Sequence, residues 1–431
     1  MKIIYYNIIF FLVFITSGYG QGLVKITEEE KSLIDQFSTE SFGFSESIPS
    51  SYSLKKFVPP VRNQGETNAC VGFAMGYYAI SIMHNYYFDR TETLDKLIHG
   101  FDPFYAYSIN IGSQDLGCSE EGLKMLNAFR RFSNFGAKKT FFNPIDVDCD
   151  KPIDTETIEN IDDYITPYEL ESFEFIQTYN PRFVDNVKTS LANNFPVIVG
   201  SDVKESLFNV AKFSSGDAVW TPSDNEPVQG GHAMTVIGYD DYKNGGSFEI
   251  VNSWGSSWGN DGFFWISYED FYKNITEAYV IKPYGLDYEN KGESSIVFNE
   301  NYIHIGENKD YTYEGQVSDD GKLEGMGILR GISRNGNPYY SAGYFSQDKR
   351  QGKHLVLTPG GNYVVDFLNG EPQEVNELGF SSQQEDEEIQ IQMDKMGIDF
   401  EIKKARRSEL DSLFGDPGVG KWKIKKNKLK P

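Results

Sequence analysis

Basic residues, cysteines and long apolar runs are all scarce in this 431-residue chain. Its 40 Lys and Arg stand against 63 Asp and Glu, a formal net charge of -23. A phosphate backbone would be repelled by that field, so nucleic acid is excluded as the expected partner. There are only three cysteines, Cys70, Cys118 and Cys149, and an odd count leaves at least one thiol outside any disulfide. Past the first residues no stretch is long and apolar enough to span a bilayer, so no stable membrane span is expected. What is present in quantity is apolar and aromatic material, 39% and 15% of residues, enough for substantial cores. The length exceeds one ordinary core, and at least two domains are expected.

The one apolar run lies at the N-terminus. Lys2 precedes an apolar stretch from Ile3 to Ile15, followed by Gly18-Tyr19-Gly20 ahead of Gln21. This is the pattern of a cleaved signal peptide over 1–20, and the run is shorter than the roughly 20 residues of a membrane anchor. No Cys follows it to take a lipid. A secreted or otherwise extracytoplasmic protein is therefore expected.

Residues 21–47 are polar, with Glu28-Glu29-Glu30, and suit a short pro-segment or linker holding at most one helix. From 48 to 285 helical patterns come first and strand patterns later, an α+β arrangement of two unlike halves. Val71 to Met83 has the apolar density of a buried helix, and Phe183, Val187 and Leu191 repeat at helical spacing. Strands are expected at Val197 to Val199, Ala233 to Tyr239, Phe248 to Asn252 and Phe263 to Tyr268.

Beyond 285 the composition turns to Gly, Asn, Asp and Tyr. A linker over 286–300 and a small, mostly-β module over 301–375 are expected, so that a fragment ending near 285 would keep its own core. Tyr313-Glu314-Gly315 with Gly325 and Gly327, then Tyr340 and Gly343 with Gly352, suggest stacked hairpins. The pattern resembles MORN repeats in degenerate form; the alternative is an antiparallel domain whose turns need Gly. Residues 376–431 form a charged tail, acidic at Glu385-Asp386-Glu387-Glu388 and rich in Lys from Lys421 onward. It reads either as solvated chain or as a docking patch for a surface or partner.

Three segments carry chemistry. In the first, Val61 to Ala74, Cys70 opens the buried helix, where the helix dipole and unpaired N–H groups favour a thiolate. The second, Gly230 to Asp241, places His232 just before an apolar strand, as a general base for that thiol. In the third, Val251 to Asp270, Asn252 can fix the His232 tautomer while Trp254 shields the bond. Gln64 stands six residues before Cys70, and Asn252 stands 20 residues after His232.

This conjunction resembles the papain family of cysteine peptidases over about Ile48 to Pro283. The resemblance implies a helical half and a barrel-like sheet half with the site between them. Cys70, His232 and Asn252 are then nucleophile, base and orienting residue, and Gln64 joins the Cys70 N–H in an oxyanion hole. Protein or peptide substrates follow, with no metal or organic cofactor. Glu120, Glu121, Gly231 and Trp254 are the expected substrate-binding residues.

The chain departs from the family pattern in three places. Val71 stands where the family usually has Trp, and Thr67 replaces a Cys, which orphans Cys118. With Cys70 reserved by the resemblance, Cys118 and Cys149 remain as the pair for a disulfide, provided the fold brings them together. The family's long helical propeptide has no room here, so latency must come from 21–47 or from the C-terminal module. In Gly117 to Gly122 the family's usual glycines give way to Glu120 and Glu121, which either line the cleft and favour a basic substrate side chain or point into water. An endopeptidase is the leading expectation. A transpeptidase using the same site and a degenerate binding protein are the alternatives.

Overall fold

The computed structural model describes residues 22–37, 48–110, 122–140, 170–211, 217–283, 304–307, 311–318, 320–333 and 335–373, together with 390, 403, 410 and 423–424. The expected signal peptide, Cys118, Cys149, Glu120, Glu121, the 286–300 linker and most of the 376–431 tail lie outside the described residues.

The helical half is built on one buried helix that opens at Cys70, runs as a wide π-helix over Gly72–Ile80 and continues as an α-helix over Ser81–Tyr87. It is apolar on every side because every side is covered: all residues from Gly72 to Ile80 are buried. A second helix, Pro103–Ser108, is capped by the Asp102 carboxylate, which accepts from the N–H groups of Phe104 and Tyr105 at 2.8 and 3.2 Å. This helix lies against the first where side chains are missing. A Cβ at Gly72 would stand 2.3 Å from the Pro103 carbonyl oxygen.

The sheet half consists of β1 Ser51–Ser53, β2 Leu170–Phe175, β3 Val197–Lys204, β4 Val219–Trp220, β5 Val228–Asp240, β6 Ser247–Val251, β7 Phe263–Ser267 and β8 Ile275–Pro283. They pair in the order β2-β8-β3-β5-β6-β7-β4, with β1 added to β5. All pairings are antiparallel except β4 with β7. The four expected strands are present, β3 and β5 longer than their apolar stretches because pairing continues through Gly200 and Gly230-Gly231. The expected helix at Phe183 is found over Phe183–Ala192.

The C-terminal module is a second, all-antiparallel sheet: β9 His304–Glu307, β10 Tyr311–Val317, β11 Leu323–Ile332, β12 Pro338–Ser346, β13 Lys349–Thr358, β14 Gly361–Leu368, β15 Glu371–Pro372 and β16 Lys423–Ile424. Glycine makes room for aromatic rings on it. Cβ atoms at Gly327 and Gly331 would meet the Tyr313 and Tyr339 rings at 2.4 and 2.6 Å. Neighbouring residues alternate between two apolar clusters, as the period of a strand requires. Ile328, Tyr340, Ala342, Leu355 and Leu357 belong to the same core as the helical and sheet halves, while Leu329, Tyr339, Phe345, Val356 and Phe367 form a cluster on the other face.

The module is therefore not the independent unit that the composition break suggests. Glu314 on β10 reaches into the helical half, where Arg90 Nη2 donates to its Oε2 at 2.6 Å, Lys139 Nζ donates to its Oε1 and His99 Nε2 lies 3.3 Å from Oε2. Burial works against this charge, but the cations around Glu314 override it and hold the carboxyl well below the usual carboxylate range.

Candidate active site

Cys70, His232, Asn252 and Gln64 are all buried where the helical half meets the sheet half. His232 sits on β5 opposite Ser201 of β3, so its ring position is set by a sheet ladder rather than by a loop. Its Nε2 bonds Asn252 Oδ1 at 2.7 Å, and that oxygen also accepts from the Ser253 N–H at 2.8 Å. Trp254 stacks on the imidazole with centroids 4.7 Å apart and covers the bond from water. Nδ1 has no hydrogen-bond partner among the described residues. With Nε2 committed to Asn252, Nδ1 is the ring nitrogen left to exchange a proton.

Gln64 is pinned from both ends. Ser253 Oγ donates to its Oε1 at 2.6 Å, and its Nε2 donates to the Thr67 carbonyl at 2.8 Å. Its main chain joins the same neighbour, Gln64 N donating to Ser253 O at 2.8 Å.

The Cys70 sulfur touches the backbone of Ala233, next to His232, and also that of Gly22 from the far N-terminal segment. This second contact reveals a strap. Residues 22–26 cross the site in extended form: Leu123 N donates to Gly22 O at 2.6 Å, Val24 N to Leu123 O at 2.9 Å, and Leu23 N to Gly231 O at 3.2 Å. Leu23 makes a parallel bridge with Leu123. Its side chain fills a recess left by Gly200, where a Cβ would lie 2.7 Å from Leu23 Cδ2 and 2.9 Å from Met125 Cε. The strap ends in the helix Glu28–Phe37, whose first turn is a reciprocal cap: Thr27 Oγ1 accepts from Glu30 N at 3.2 Å and Glu30 Oε2 accepts from Thr27 N at 2.7 Å. Lys124 holds Glu30 at 2.8 Å, and Lys25 pairs with Asp202.

Under this cover the thiol is not the activated species its helix position suggests. Burial pushes Cys70 up to about 11 and His232 down to about 4, so both are neutral at pH 7. Desolvation outweighs the helix dipole at Cys70, where the Gly22 backbone of the strap lies against the sulfur, and His232 is buried under Trp254.

The depressed His232 value gives the closed state fewer bound protons than an open one between pH about 4 and the ordinary imidazole value of 6.5. Stability of closure is thus present above 6.5 and is lost as pH falls through that window, by up to about 3 kcal/mol. Pulse alkylation after a jump from pH 7 to pH 4.5, followed by return to pH 7, is expected to label more Cys70 than a pulse on protein held at pH 7. Equal labelling would contradict the linkage.

Of the expected substrate-binding residues, Gly231 and Trp254 are at the site, the first bonded to the strap and the second stacked on His232. Sequence reasoning missed the strap as a cleft element. The available signal is the spacing of Thr27 and Glu30 ahead of Leu33 and Ile34, which marks a capped helix start. Two buried acids were also missed, Glu277 on β8 and Glu314 on β10, each the lone acid of its strand.

Residues 114–282 match the model of the papain family cysteine proteases. An uncharacterized peptidase C1-like protein of Acanthamoeba polyphaga mimivirus is 34% identical over 86 residues, 20% of this chain and 27% of that protein. Cysteine proteinase 3 of Entamoeba histolytica is 33% identical over 78 residues, 18% of this chain and 24% of that protein. The chain thus spans about a quarter of the length of these curated relatives. Among solved structures, xylellain, a cysteine protease from Xylella fastidiosa, is similar at 21% identity and a TM-score of 0.43, over 62% of this chain and 97% of that one. Digestive procathepsin L 3 of Tenebrio molitor larval midgut is similar at 17% identity and a TM-score of 0.43, over 62% and 76% of the two chains. Residues 114–282 are thus similar to the papain family cysteine proteases, and an all-antiparallel β-sheet module follows them.

Proposed function

We propose that the protein is a secreted cysteine endopeptidase held latent by its own N-terminal strap. The observation that carries the reading is the His232–Asn252 bond beside the Cys70 sulfur, because it assigns a proton-accepting nitrogen to the thiol's neighbour. Once the strap leaves and water enters, the Cys70 proton passes to His232 Nδ1 and the thiolate attacks the scissile carbonyl carbon. The carbonyl π electrons move to oxygen, and Gln64 Nε2–H and the Cys70 N–H stabilise that oxyanion. As the intermediate collapses, the C–N bond breaks and His232 protonates the departing amine, leaving a thioester on Cys70. Water, deprotonated by His232, then attacks the thioester and releases the acid and the thiol.

Residues 21–47 act in this reading as the pro-segment, and Gly22 blocks the nucleophile while Leu23 fills the adjoining recess. Secretion rests on the signal-like residues 1–20. The Tyr–Gly packing in the C-terminal sheet supports a degenerate MORN-like module that docks the enzyme to a surface or partner. Cys118 and Cys149 form the proposed disulfide of the peptidase domain.

A thiol-directed epoxide applied to strap-released protein is expected to modify Cys70 alone and to stop cleavage of a fluorogenic peptide in proportion. Loss of activity with Cys70 unmodified in the peptide map would end the assignment.

A further inference from the structure

One phenol joins the buried helix to the two loops that carry Gln64 and Asn252. Tyr78 belongs to the helix that opens at Cys70, and its hydroxyl donates to Asn252 O at 3.0 Å and accepts from Arg62 N at 3.3 Å. Arg62 stands two residues before Gln64, and its own carbonyl accepts from Gly255 N at 3.3 Å. Beside it Asn63 bridges Trp254 and Gln64 N donates to Ser253 O, so residues 62–64 and 252–255 run as a short antiparallel pair. The Tyr78 hydroxyl ties both members of that pair to the helix of the nucleophile. It is buried with the rest of its side chain, and burial pushes the phenol well above its ordinary value, so it keeps its proton and remains a donor.

We propose that Tyr78 is a positioning residue for the reaction, which acts through Asn252 to set how His232 is held beside the Cys70 thiol. Asn252 N donates to Gly262 O at 3.0 Å, which fixes the residue to the sheet half. The Tyr78 bond fixes the same residue to the helix that carries the thiol. Asn252 Oδ1 in turn holds His232 Nε2, and the plane of the ring decides where Nδ1 stands. Loss of the hydroxyl frees the Asn252 carbonyl to turn and loosens the bond from Oδ1 to the imidazole. Burial lowers the His232 value and the Asn252 bond opposes that, so a looser bond lets the imidazolium give up its proton at lower pH.

This inference rests on the peptidase reading, and its test separates the two. Tyr78→Phe keeps the ring and its contact with Tyr77, centroids 5.0 Å apart, and removes the hydroxyl alone. Tyr77→Phe is the control, since its hydroxyl lies on the same helix and is equally buried but donates to Pro60 O, at 2.6 Å. Both are made in full-length Gly22→Val protein, in which the strap cannot seat, and assayed on a fluorogenic peptide. Tyr78→Phe is expected to lower kcat about tenfold with KM within about twofold, and to move the alkaline limb of kcat/KM down by about half a pH unit. Tyr77→Phe is expected to leave that limb in place. An unmoved limb in Tyr78→Phe, or an equal shift in Tyr77→Phe, overturns the proposal. A second readout needs neither cleavage nor an open cleft. In full-length Cys70→Ala protein, nuclear magnetic resonance follows exchange with water of the His232 Nε2 proton, which the Asn252 bond and Trp254 protect. Tyr78→Phe is expected to speed that exchange about fivefold or more, and Tyr77→Phe to leave it unchanged. Equal exchange in the two variants counts against Tyr78 as the limb does. Failure of all cleavage by Gly22→Val protein whose Cys70 still alkylates rapidly would sink the peptidase reading, and the exchange rates would then still decide Tyr78.

Discussion

Gly22→Val in the full chain is expected to raise both the alkylation rate of Cys70 and the cleavage of a peptide substrate by a hundredfold or more. The reason is steric: an added Cβ would sit 1.8 Å from the Asn68 carbonyl oxygen and 2.4 Å from its carbon, and both are backbone atoms that cannot swing aside. Relief requires the strap to lift, which breaks its bonds to Leu123 and Gly231 and withdraws Leu23 from its recess. Each backbone bond contributes about 1 kcal/mol and the buried leucine about 2 kcal/mol, so closure is worth several kcal/mol. A hundredfold shift needs only about 2.7 kcal/mol of that. Leu23→Ala removes the side chain but spares the backbone ladder, and should give a smaller gain of about tenfold. Val24, whose side chain is exposed, serves as the control: Val24→Ala should leave both rates unchanged. Wild-type rates in a correctly folded Gly22→Val protein would mean that the strap does not govern access.

The second large effect is expected at Glu314, which lies on β10 of the C-terminal module. Glu314→Ala leaves Arg90 and Lys139 buried without the carboxylate between them, a loss of about 3 to 5 kcal/mol when one partner of a buried ion pair is removed. The melting temperature should fall by roughly 5 to 10 °C. The effect reaches the site through backbone. Lys139 bridges Phe101, Asp102 N donates to Lys138 O at 2.7 Å, and Asp102 caps the helix that packs on Gly72, two residues after Cys70. A fragment ending at 285 is expected to fail for the same reason, since it exposes those cations together with the apolar surface that Ile328, Tyr340 and Leu355 cover. A soluble, cooperatively melting fragment with full activity would refute the fusion of the two parts.

The parts of this structure that were legible in the sequence are those in which local pattern and chemistry agree. Cys70 opens an apolar helix, His232 leads into the apolar stretch of β5, and Asn252 adjoins Ser253-Trp254, so each could be placed beside an element before any geometry was known. The strap was not legible, because Gly22 to Ile26 has no periodicity of its own and takes its extended form from Leu123 and Gly231, far away in the chain. Glu277 and Glu314 escaped for a related reason. A single acid in a strand looks like a solvated edge position until the partner that buries it is known, and Arg90 and Lys139 lie more than 170 residues from Glu314. The composition break near 285 misled in the opposite direction. A change of residue usage marks a change of architecture, but it does not say whether the two architectures share a core.

The strap is joined to Ile48 through residues 38–47, so the blocking group cannot diffuse away from the cleft it fills. A short covalent tether corresponds to a local concentration on the order of millimolar. Before the tether is cut, the degree of closure is a property of one molecule and is the same at any protein concentration. After a single cut within 38–47, strap and the remainder of the chain become two solutes, and their encounter obeys mass action. Dilution would then release what it could not release before, and the transition from tethered to diluted strap would act as a one-way step.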